Sequence, residues 1–124
     1  MKLRMPLISL TVILIAVLAG QLFDLKYHSR QARETMLKLD LLTMREAIDK
    51  YTFDKQRAPQ SLQDLISGHY LKQIPTDPFT RKQDWVPSFG DSMLIGPEQT
   101  DSGIADIHSA SAQIGRNGAA YSMW

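Results

Sequence analysis

The sequence predicts an α+β protein, with a long N-terminal helix packed on a small antiparallel β-sheet. Three observations predict it. No charged residue occurs between Arg4 and Asp24, and that stretch is apolar almost throughout. From Asp24 to Phe53 there is neither Pro nor Gly, and apolar residues recur at helical spacing. The rest of the chain falls into short strand-like runs separated by turn-forming residues. Residues 1–25 are therefore read as a membrane anchor and residues 26–124 as a separate folded domain.

The anchor begins with Lys2 and Arg4, followed by Pro6 and an apolar run through Gly20 that Leu22 and Phe23 extend. This approaches the roughly 20 residues a helix needs to cross about 30 Å of hydrocarbon. Pro6 suits a first helical turn, where a missing N–H costs little. The two leading bases place the N-terminus on the cytoplasmic side. The rival is a cleaved signal peptide, with Val17, Leu18 and Ala19 preceding Gly20 as the peptidase site. A buried core helix fits poorly, because the run is apolar on every face.

The helix is predicted to continue from about Pro6 to Phe53, roughly 70 Å at about 1.5 Å per residue. Its first half is transmembrane and its second half amphipathic. Leu37, Leu41, Met44, Ile48 and Tyr51 form one apolar stripe, widened by Leu42 and Ala47, with Leu39 to the side. Arg30–Glu34, Glu34–Lys38, Arg45–Asp49 and Glu46–Lys50 stand at i,i+4 on the opposite face, each pair worth about 0.3 kcal/mol.

Pro59 ends that pattern, since it disfavours helix at the preceding residue. Ser61-Leu-Gln-Asp64 reads as the capped start of a short second helix bearing Leu62, Leu65 and Ile66 and ended by Gly68. Ile74-Pro-Thr-Asp-Pro-Phe79 reads as an irregular connector, because two prolines preclude ladder pairing. Strands are expected at Trp85-Val86, Met93 to Ile95, Ile104 to His108 and Ala120 to Trp124. Turns are expected at Gly90-Asp91, Gly96-Pro97, Asp101 to Gly103 and Asn117-Gly118, the last flanked by Ile114 and Tyr121.

Composition excludes several functions. The chain has 124 residues, 14 Lys and Arg against 13 Asp and Glu, and no cysteine. Balanced charge gives no reason for a nucleic-acid partner, and disulfides, thiolate metal sites and cysteine nucleophiles are ruled out. His28, His69 and His108 show no metal-ligand spacing, and Ser109 and Ser111 lack the glycines of a nucleophile elbow. The chain is therefore expected not to be an enzyme. Charge is unevenly placed: residues 26–57 lean basic, whereas residues 84–124 carry five acids and Arg116 as their one base. The bland account is solvated surface, and the sharper one is attraction between the heads and stems of stacked subunits.

Several segments, taken in order, resemble the pseudopilins of bacterial type II secretion systems. They are Met44 to Tyr51, Asp54-Lys-Gln-Arg-Ala-Pro-Gln-Ser-Leu-Gln-Asp-Leu65, Gly68 to Leu71, Ile74-Pro-Thr-Asp-Pro78, Gly103-Ile-Ala-Asp-Ile-His-Ser109 and Tyr121-Ser-Met-Trp124. The likeness covers roughly residues 33–124 and is nearest to the major, protein G-like pseudopilin of the type IV filament superfamily. It implies a pilin-like structural subunit, anchored once in the bacterial inner membrane with its C-terminal domain in the periplasm. Such a subunit assembles with copies of itself, with other pseudopilins and with the secretion-system assembly platform, to drive protein export. Leu10, Ile13, Val17, Leu37 and Leu41 are the residues expected to pack between subunits. The anchor departs from the family pattern: no Gly-Phe-Thr-Leu-Ile-Glu-like sequence is present and no acid precedes Asp24. This marks a divergent, unprocessed or accessory subunit. Related major pseudopilins bind calcium in a C-terminal loop. Asp101, Asp106 and Asn117 are the residues here with suitable hard oxygens, the alternative being that Asp101 and Asn117 only make turns. The competing functions are a periplasmic binding module with a removed signal and a type IV pilin-like subunit.

Overall fold

The structure, a computed structural model, describes residues 5–90 and 102–124. Helix α1 (Met5–Lys55) covers 51 residues without interruption, so the long helix read from the sequence is present. The chain divides between Arg33 and Glu34 into two compact units. That division lies beyond residue 25, where the apolar run stops, because Glu34 is the first helical residue buried within the second unit.

The second unit is organised by one side of α1. Leu37, Leu41, Met44, Ile48 and Tyr51 are all buried, joined by Ala47. Burying each of the large aliphatic side chains contributes about 2 kcal/mol. Leu42, expected to widen the stripe, is instead 54% exposed. Glu34, expected on the solvated face, is buried, because it stands three residues before Leu37 and continues the same stripe.

Gln56, with φ of 54°, takes the left-handed conformation just past the end of α1. Helix α2 (Leu62–Ser67) then begins with the expected cap. The Asp64 carboxylate accepts the N–H groups of Gln60 at 2.8 Å and Ser61 at 3.2 Å, meeting donors a helix start leaves unpaired. At its far end the left-handed residue is His69 (φ 63°), with Gly68 still at φ −83°. Leu65 and Leu71 are buried against the α1 stripe, and Tyr70 meets Tyr51 edge-on at 5.4 Å.

A two-stranded antiparallel sheet follows, β1 (Val86–Gly90) against β2 (Gly103–His108). β1 starts at Val86, one residue later than the expected Trp85-Val86, and runs on to Gly90, while Asp91 of the expected Gly90-Asp91 turn lies outside the described residues. Pro87 lies opposite Ile107 in a two-stranded sheet, and edge strands of that kind are where proline is tolerated. A bulge lies between Ser88 and Phe89, which face Asp106 and Ile104 and leave Ala105 unpaired. The extra residue explains the imperfect alternation of β2, since Ile104 and Ile107, three apart, are both buried. Gly103 sits where a Cβ would stand 2.6 Å from the Ala58 Cβ, and Ile104 N–H donates to the Pro59 carbonyl at 2.8 Å. Only glycine permits that approach.

The C-terminal residues differ from expectation. Tyr121–Met123 form a single 3₁₀ turn rather than a strand. The turn at Asn117-Gly118 is present, with Gly118 at φ 81°, but Ile114 bridges to Ala120, one residue before Tyr121. Met93 to Ile95, Gly96-Pro97 and Asp101 lie outside the described residues.

Candidate functional site

In the first unit the notable surface is apolar. Leu10, Val12, Ile13, Leu14, Ile15, Val17, Leu18, Leu22, Phe23 and Leu25 are each between 51% and 72% exposed. Helix α1 is long and apolar enough to cross a membrane. Contiguous exposed apolar surface on this scale marks an interaction with lipid or protein. A signal sequence near an N-terminus has the same length and composition.

In the second unit the C-terminal segment is sewn to α1 by polar groups. Tyr121, with no exposed surface, donates its hydroxyl to Glu34 Oε1 at 2.8 Å, and Arg116 N–H donates to the same oxygen at 3.0 Å. The Tyr121 ring stacks on Phe79 at 3.9 Å and meets Trp124 edge-on at 4.9 Å. About three turns further along α1, Arg45 donates from Nε to Asp106 Oδ1 at 2.7 Å. Its Nη2 donates to the carbonyls of Ile107 and Trp124 at 3.0 and 2.8 Å. Arg45 was expected opposite the stripe beside Asp49. It turns inward because residue 45 follows Leu41 by one turn. His108 completes the cluster, with Nδ1 at 3.1 Å from the Trp124 carbonyl oxygen and Nε2 at 3.5 Å from Asp106 Oδ2.

A second polar centre holds the connector. Asp77 is fully buried; its Oδ1 accepts the Phe79 and Thr80 N–H groups at 2.7 and 3.2 Å, and its Oδ2 accepts the Ser109 hydroxyl. Ser109 in turn accepts the Ser111 N–H at 3.1 Å. Ser109 is thus spent on holding β2 to the connector. Asp40 is pushed above the ordinary carboxylate range, by partial burial first and by the neighbouring charge of Asp77 second.

The calcium candidates occupy these surroundings. Asp106 pairs with Arg45, Asn117 Oδ1 accepts the Ala119 N–H at 3.1 Å within its turn, and Asp101 lies outside the described residues. Among the described residues no group of three or more His, Cys, Asp or Glu side chains is placed to hold a metal ion. His28 and His69 are exposed.

A cleft of ≈ 520 Å³ lies between α1 and the C-terminal segment, floored by Leu41, Leu42, Ala119 and Trp124. Lys38, Arg45, Asn117 and Met123 line its edges, and the Lys38 ammonium stands 4.8 Å over the Trp124 ring. Compared with family models, curated proteins and solved structures, the chain matches none of them.

The Asp106 cluster makes stability depend on pH. Burial alone would raise the Asp106 carboxyl, but the Ile107 N–H, the Arg45 guanidinium and His108 outweigh it and hold it below its ordinary value. A depressed carboxylate contributes stability above its unfolded value of about 4, and that contribution is lost as pH falls through the lower folded value. The side chain is 42% exposed, so solvent screening keeps the contribution small. Thermal midpoints measured from pH 7 to pH 3 are expected to fall more for the parent than for Asp106→Asn. Parallel curves would remove Asp106 from the account.

Proposed function

We propose that this protein is a non-enzymatic structural subunit of a type II secretion pseudopilus-like filament that supports protein export. Residues 1–25 anchor it once in the bacterial inner membrane, and the domain that follows sits in the periplasm. Its partners are copies of itself, other pseudopilins and the assembly platform, and no nucleic acid is involved. The observation that carries the reading is the change of character along α1. Residues 10–23 are uncharged and mostly apolar with their side chains exposed, whereas residues 37–51 are apolar on one side and build a core. A helix of that kind is soluble only if something covers its first part. The ordered resemblance of residues 33–124 to pseudopilins supplies the family, and the inner-membrane setting follows from it.

Leu37 and Leu41 do not serve between subunits, because both are buried within their own unit. Subunit packing falls to Leu10, Ile13 and Val17. A type IV pilin-like subunit shares every feature used here, and deletion in a host that secretes a measurable exoprotein separates the two. Fractionation tests the anchor. Full-length protein is expected to stay with membranes through a carbonate wash, and protease added to spheroplasts is expected to digest the second unit. Soluble protein with a mature N-terminus at Gly20 or Gln21 would establish the binding-module reading instead.

A further inference from the structure

Beyond the apolar run, α1 carries Lys26, Arg30 and Arg33, spaced by four and three residues so that helical register puts them on one side. Asp24 is the single acid between Phe23 and Arg33. We propose that these three bases bind the phosphates of anionic phospholipids where α1 leaves the bilayer, so that the span prefers anionic lipid around it. The proposal rests on the bilayer-spanning reading and goes beyond it by naming the ligand.

Axial position argues for lipid. If hydrocarbon ends near Leu25, the polar headgroup layer occupies about the next 5–8 Å. At about 1.5 Å per residue, Lys26 enters that layer at once and Arg30 reaches its outer part. Arg33 would lie beyond it, but long helical side chains lean toward the helix N-terminus. The Arg33 Nε–H in fact donates to the Ser29 carbonyl at 3.4 Å, which carries its guanidinium back one turn to headgroup depth. The charges of Arg30 and Arg33 therefore converge on the layer that the helix enters at residue 26. Arg30 and Arg33 are exposed, as is His28 just before them. Guanidinium groups suit phosphate oxygens through forked donation. By charge bias these bases oppose the orientation read from Lys2 and Arg4, so setting orientation is not what they serve.

Full-length protein is reconstituted into phosphatidylcholine vesicles carrying spin-labelled phosphatidylglycerol or spin-labelled phosphatidylcholine, and the lipid fraction immobilised on the protein is compared. Phosphatidylglycerol is expected to be favoured several-fold at low salt, with up to about fivefold from each base near the surface. The preference should fade at high salt. Lys26→Gln/Arg30→Gln/Arg33→Gln should bring it close to that of phosphatidylcholine, whereas Arg30→Lys/Arg33→Lys should keep most of it and Lys38→Gln should leave it unchanged. Vesicle-bound protein with equal immobilisation of both lipids, or with the Gln variant indistinguishable from the parent, overturns the proposal alone. Protein washed off the vesicles by carbonate overturns the spanning reading and this proposal with it.

Discussion

Asp77→Ala is expected to destabilise the second unit by about 3–5 kcal/mol. Three donors point at this buried carboxylate: the Phe79 and Thr80 N–H groups and the Ser109 hydroxyl. Alanine leaves all three without an acceptor, and each orphaned buried donor costs about 1–3 kcal/mol. Partial relief comes from rotation of the Ser109 hydroxyl, which keeps the sum near the lower end. Asp77→Asn preserves an oxygen for the two N–H groups and is expected to cost only about 1–2 kcal/mol. It also removes the charge that helps hold the Asp40 carboxyl up. Urea unfolding of full-length protein in detergent measures both variants. Trp85 serves as the reporter, because its indole N–H donates to the Pro75 carbonyl in the same connector. An alanine variant within about 1 kcal/mol of the parent would mean that water or loop movement replaces the carboxylate.

That centre also marks where the sequence stopped being informative. Asp77-Pro78 reads as a turn, and its local hydrogen bonds to Phe79 and Thr80 are what such a reading foresees. The bond to Ser109, 32 residues away, has no local signature. The same holds for Arg45 with Asp106, 61 residues apart, and for Glu34 with Tyr121, 87 apart. Arg45 and Glu34, which pair plausibly with helical neighbours, find partners that only the fold supplies. Apolar patterning survived better. The stripe from Leu37 to Tyr51, the capped start of α2 and the strand ending at His108 all follow from period and punctuation. Strand assignment failed where those signals conflict. Pro87 and Gly90 masked β1, and the β-favouring aromatics of residues 121–124 suggested a strand where stacking on Phe79 settles a 3₁₀ turn. Of the candidate calcium residues, Asn117 makes its turn and Asp106 serves Arg45, a role that spacing does not reveal.

The whole functional reading stands on the first part of α1, and Ile13→Arg/Val17→Arg is the substitution that tests it hardest. In a translocon the apolar residues at a span's centre each contribute about −0.3 to −0.6 kcal/mol, whereas an arginine costs about 2.5–3.5. Leu7, Ile8, Leu10, Val12, Ile13, Leu14, Ile15, Val17, Leu18, Leu22 and Phe23 together favour insertion by about 3–7 kcal/mol on that scale. Two arginines cost about 5–7 and forfeit two of the favourable residues, so the balance turns against insertion. One arginine leaves it near neutral, since a long side chain can snorkel to the interface. The double variant is therefore expected to leave the carbonate-resistant membrane fraction, while Ile13→Leu/Val17→Leu stays in it. Residues 13 and 17 also stand one turn apart, on the face assigned to neighbouring subunits. Cysteines placed at either position in two co-expressed copies should form disulfide-linked dimers in the membrane. Retention of the double arginine variant would show that something other than this helix holds the protein there.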